Sequence, residues 1–152
     1  MRRRKKQQIL NLMKTMQKAN QRLSLLYNKS NKDDIISILA DEQESALLIG
    51  NQIEETEGEE EPAVSVLEEY CELLWILTQE KDEKQYKTEI ERLSILLRQA
   101  MGAVEEIQET EKTEVVFLPY NASMWDCMET VWRAAKDDPD CNVHVIPIPF
   151  FE

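Results

Sequence analysis

The chain has 152 residues, enough for one domain or a small domain with an appendage, and a net charge of -12 from 30 acids against 18 Lys and Arg. Charged residues make up 32% and apolar residues 42%, which permits a modest core, and three Gly and five Pro favour long helices over loops. No apolar run approaches the ~18 residues of a membrane-spanning helix, the polar Gln7, Gln8, Asn11 and Lys14 behind Met1–Lys6 argue against a secretory signal, and three cysteines without a CxxC pair argue against a disulfide framework or a zinc site; reduced thiols in the cytoplasm are expected.

The charge is unevenly placed. Residues 1–32 carry ten Lys and Arg and no acid, a charge of +10, which leaves -22 for residues 33–152. Such a basic arm, with Arg2, Arg3, Arg4, Lys5 and Lys6 at its head, can dock at an anionic membrane surface or pair with the chain's own acidic helices. Nucleic acid is not expected as a partner, because the remaining charge repels phosphates and no reading motif is present.

In chain order, residues 5–28 predict an amphipathic helix: Ile9, Leu12, Met13, Met16, Ala19, Leu23, Leu26 and Tyr27 recur at three- and four-residue spacing. Asn28–Asn31 reads as a turn in which Ser30 or Asn31 caps a second helix, with Asp33 and Asp34 in its first turn. That helix runs to about residue 55 on a stripe of Ile35, Ile36, Leu39, Gln43, Ala46, Leu47, Gly50 and Ile53. An acidic turn with six Glu in 54–61 leads to Pro62, which suits the first position of a third helix reaching about residue 80. Val66, Leu67, Tyr70, Cys71, Leu73, Leu74 and Leu77 form its apolar face, where Cys71 reads as a small apolar residue. A fourth helix, about 83–109, places Tyr86, Ile90, Leu93, Leu97, Ala100, Val104 and Ile107 in unbroken steps of four and three, the seam of a bundle helix or coiled coil. The Tyr86–Ile107 seam can serve the bundle's own core or self-association. Each helix must bury one face, so residues 1–110 are expected to form an antiparallel bundle of about four helices.

After Glu109–Thr113 the period changes. Val115–Leu118 is a continuous apolar run that reads as a buried strand. Ser123 and Asp126, three apart, read as a capping box for a helix whose buried stripe is Trp125, Met128, Val131, Trp132 and Ala135. Asp137–Asp140 ends it, and Val143–Phe151 is a second strand in which Pro147 and Pro149 mark an edge or an early departure from the sheet. The fold class is therefore mainly α: a helical bundle followed by one βαβ unit over residues 111–152. Two strands are too few to stand alone, so this α/β segment is expected to be incomplete.

The turn Pro119–Ser123 lies where α/β folds place ligand groups, yet it lacks the glycines of a dinucleotide fingerprint or P-loop. Trp125 and Trp132 read as core anchors, and Asp126 can reach a substrate hydroxyl only if it leaves its cap. His144 is the sole histidine, and no Ser/His/Asp set or metal-ligand pattern forms around it. No catalytic residue, metal or cofactor is assigned from these residues.

Val116–Asp126, followed by Glu129–Trp132, Asp138–Cys141 and Val145–Pro149, resembles the start of the transferase region in CDP-glycerol glycerophosphotransferase-like proteins of Gram-positive bacteria. Ala46–Glu55 and Leu67–Leu73 resemble the helical region that precedes it in those proteins. The resemblance implies the opening of a Rossmann-like α/β domain in a truncated member of a family that builds teichoic-acid-type polymers at the inner membrane face. It implies a peripheral location there and a chain inactive on its own, because the family's catalytic histidines and donor site fall in parts not matched. Tyr120, Asn121, Ser123, Trp125 and Asp126 would border the acceptor side of the cleft. The alternative is a non-enzymatic helical interaction module whose basic helix docks on a partner or membrane.

Overall fold

The computed structural model describes residues 1–26, 32–79 and 82–149. Tyr27, the Asn28–Asn31 turn with its proposed cap, and Phe150–Phe151 lie outside the described residues. The chain divides into two compact units, one of Met1 with Lys6–Gln108 and one of Arg2–Lys5 with the residues from Glu109 onward.

The first unit is a bundle of α1 (Arg3–Leu26), α2 (Lys32–Glu57), α3 (Pro62–Gln79) and α4 (Glu83–Glu106). All four helices bury a seam in alternating steps of four and three. It runs 9, 13, 16, 20, 23 in α1; 35, 39, 42, 46, 49, 53 in α2; 63, 67, 70, 74, 77 in α3; and 86, 90, 93, 97, 100, 104 in α4. That period keeps each stripe facing its neighbours over several turns, as in coiled-coil-like bundles. Neighbouring helices run antiparallel. The Tyr86 hydroxyl at the start of α4 donates to the Leu23 carbonyl near the end of α1, and Lys6 at the start of α1 meets the end of α4.

The helix ends follow local chemistry. Pro62 opens α3, where a missing N–H is harmless. The Asp82 side chain caps α4 by accepting from the Lys84 N–H at 3.0 Å. Gly58 closes α2 at φ 97°, a left-handed conformation that glycine adopts freely, and its N–H donates to the Glu54 carbonyl at 2.9 Å. The N-terminal ammonium pairs with Glu57 at 2.7 Å and donates to the Gln108 carbonyl at 3.0 Å.

The α2 stripe differs from the expectation. Ile36 and Leu47 are about half exposed, while Ile49 and Glu42 are buried. The pair Ile35–Ile36 and the run Ala46–Ile49 offer more than one candidate face, and packing buries Ile35, Ala46 and Ile49, in step with the other seams, while Leu47 and Leu48 both stay about half exposed. In α1, Asn20 rather than Ala19 occupies the core position.

The second unit contains β1 (Thr113–Phe117), α5 (Ala122–Asp137) and β2 (Cys141–Val145). The strands pair in parallel from Thr113 opposite Cys141 to Phe117 opposite Val145. Asn121, not Ser123, caps α5: its side chain accepts from the Met124 N–H at 2.8 Å, and Ser123 lies inside the first turn. No α5 residue is fully buried, and Val131 is exposed. Two strands form too narrow a layer to cover the stripe expected for this helix.

Candidate functional site

In the bundle, a polar group sits where the seams demand apolar residues. Asn20, Glu42 and Tyr70 come from α1, α2 and α3, and each is at most 2% exposed. Asn20 donates from Nδ2 to the Tyr70 hydroxyl at 3.0 Å, and Tyr70 lies within reach of both Asn20 Oδ1, at 3.3 Å, and Glu42 Oε2. Burial pushes the Glu42 carboxyl up to about 7; the Tyr70 hydrogen bond opposes the rise and the Asp41 charge adds to it. Burial and the Glu42 charge together push the Tyr70 hydroxyl far above its ordinary range. Lys18, Arg22 and Asp41 line the α1–α2 groove that Glu42 borders. Sequence reading missed Asn20 and Glu42. The signal was present in the step pattern, since both fall on the four-three register of their helices.

Among the residues singled out from the sequence, Arg2, Arg3 and Arg4 are exposed, whereas Lys5 and Lys6 are half-buried. Lys6 Nζ donates to the carbonyls of Glu105 and Ile107, each at 2.7 Å, so it closes the carboxyl end of α4, where a cation is favoured. Among the described residues, no Lys or Arg of α1 forms an ion pair. The Tyr86–Ile107 seam is buried in the bundle. A partner reaching it would have to displace neighbouring helices.

In the second unit, Tyr120, Asn121, Ser123 and Asp126 are exposed around the β1–α5 turn, and Trp125 is half-buried. The turn thus gathers all five on one end of the unit, with Asn121 committed to the cap. Trp125 meets Trp132 edge-on with ring centroids 5.4 Å apart, and Lys136 Nζ lies 4.8 Å from the Trp132 centroid. His144 does not join this cluster. Its Nε2 lies 2.5 Å from Glu114 Oε2 on the sheet, and Asn142 Nδ2 donates to Glu114 Oε1 at 2.6 Å. The bonds from Asn142 and His144 hold the Glu114 carboxyl below its usual range. Glu114, Asn142 and His144 share one sheet face because alternate residues of a strand point the same way.

Among the described residues, no group of three or more His, Cys, Asp and Glu is placed to hold a metal ion, and no helix is long and apolar enough to cross a membrane. A comparison with known family models, curated proteins and solved structures finds no match to this chain.

Proposed function

We propose that this chain is the support and acceptor-side portion of a glycerophosphotransferase-like protein of cell-wall or surface-polymer synthesis, without catalysis of its own. One observation carries the reading. The βαβ unit presents a bare sheet face, polar at Glu114, Asn142 and His144 and apolar toward its carboxyl end, where Val116 is 48% and Ile146 53% exposed with Leu118 exposed beside them. Parallel sheets are ordinarily covered on both faces. Such a face suits a unit completed by further α/β structure, which in this reading supplies the catalytic groups. The resemblance from Val116 to Asp126 falls at the carboxyl end of β1, where open α/β sheets take ligands. Tyr120, Ser123, Trp125 and Asp126 would there line the approach of a polyol-phosphate acceptor, and Asn121 would hold the turn. Exposed Arg2, Arg3 and Arg4 would keep the protein at the inner membrane face.

The test is the indole N–H spectrum of the full chain during titration with a poly(glycerol phosphate) acceptor and, separately, with CDP-glycerol. The acceptor is expected to shift Trp125 and Trp132 while CDP-glycerol does not. Indoles unmoved by millimolar acceptor overturn the reading. A second reading, a helical interaction module, is favoured by Leu47, Trp75 and Ile76, which stand exposed on the bundle surface.

A further inference from the structure

Helices α2 and α3 do not close over one another completely. Between them runs an open groove of about 440 Å³. Its floor is apolar, with Leu67 buried, Cys71 half-buried and Leu47 half exposed. Gly50 deepens it. A methyl group added at Gly50 would meet no atom within 4 Å, so nothing inside the bundle requires glycine there. A helix-interior glycine destabilises relative to alanine, so its presence needs another explanation, and the space it leaves in the groove is one.

The rim has a single sign. Glu54, Glu68 and Glu72 border the groove, and residues 33–80 contain fifteen acids and no Lys, Arg or His. A field of one sign around an apolar slot selects a partner of the other sign, because like-charged partners are repelled before contact. The groove runs along two antiparallel helices over about two turns, a shape that accepts a third helix by its apolar face.

We infer that the α2–α3 groove is a docking site for a basic amphipathic helix of another protein. An apolar anchor of that helix sits over Gly50 against Leu47 and Leu67, and its flanking Lys or Arg residues meet Glu54, Glu68 and Glu72. The inference rests on the interaction-module reading and is independent of any acceptor at the β1–α5 turn, so the two fail separately.

The probe is a capped helical peptide with leucines at i, i+4 and i+7 and lysines elsewhere on its flanks; a control carries Glu in place of each Lys. Backbone amide spectra of the full chain are followed with each peptide, using wild type, Gly50→Ala and Gly50→Leu. The basic peptide is expected to move amides in 46–54 and 64–72, and the acidic one to move none. Gly50→Ala is expected to raise Tm. Gly50→Leu fills the slot and is expected to weaken binding roughly tenfold or more while keeping the fold. Equal binding to wild type and Gly50→Leu would mean mere charge attraction and overturns the inference. So does the absence of shifts at the groove, or concentration-dependent self-association that Gly50→Leu abolishes, which would make the occupant a second copy of this chain.

Discussion

Tyr70 donates its hydroxyl proton to the Glu42 carboxyl group across the α2–α3 interface, and both residues occupy seam positions inside the bundle. A carboxyl group in that place makes folding sensitive to pH in an unusual direction. In the unfolded chain Glu42 titrates at its ordinary 4.5, and in the fold it is pushed up to about 7. Between those values the folded state keeps a proton that the unfolded state releases. Stability from this group is therefore complete below about 4.5, declines as pH rises and is lost above about 7, a span of ~3 kcal/mol at most. Urea unfolding at about pH 5 and about pH 8 is expected to show a larger loss for wild type than for Glu42→Gln. Parallel pH slopes would remove Glu42 as the cause.

Deleting the two partners of that contact should have opposite consequences. Tyr70→Phe strips the buried Glu42 of its donor and Asn20 of its partner, and is expected to cost about 1–3 kcal/mol. Glu42→Leu removes the carboxyl group while Tyr70 keeps Asn20, and at neutral pH it is expected to be neutral or stabilising. Denaturation midpoints of the two variants, compared at neutral pH, check the order.

Core and surface leucines separate cleanly. Leu97 is completely buried in α4 and Leu25 is 70% exposed in α1. Leu97→Ala is expected to lose about 2–5 kcal/mol, through lost burial and the cavity left behind. Leu25→Ala should stay within about 0.5 kcal/mol of wild type. Thermal unfolding followed by circular dichroism distinguishes them.

The cap of α5 gives a local prediction. Asn121→Ala removes the acceptor for the Met124 N–H and is expected to cost about 1 kcal/mol of helix stability. Ser123→Ala should cost almost nothing there. Hydrogen exchange in 122–126 is expected to accelerate for the first variant alone, and equal acceleration in both would restore Ser123 as the cap.

The helices were legible because their apolar residues recur at helical spacing and Pro62 marks the start of α3, whereas the Gly58 stop and the Asp82 cap were not read. The heptad of α4 was read residue by residue, as its seam contains no polar residue but the Tyr86 hydroxyl. Glu42 was hidden for a physical reason. A carboxylate is ordinarily left in water, so the stripe was drawn past Glu42 through the uncharged Gln43 and on to Leu47. The hydrogen bond from Tyr70, a residue 28 positions away, offsets the cost of its burial. Asn20 was hidden in the same way. In the second unit the βαβ order was legible from the switch of period. The exposure of Val131 was not, because it depends on the width of the sheet beneath α5 and not on the helix sequence.

Beyond the end of β2 the N–H groups of Ile146 and Ile148 still reach across to the carbonyls of Phe117 and Pro119, at 2.8 and 3.0 Å. Pro147 and Pro149 alternate with them, so their missing N–H groups fall on the opposite, outward border. That border offers acceptors without donors, and an incoming strand finds half its ladder absent. Along β2 itself the outward residues Val143 and Val145 keep their N–H groups, so the loss of donors is confined to the stretch past Val145. The two prolines thus act as a length limit: a ladder on that border can run along β2 but finds no donors beyond it.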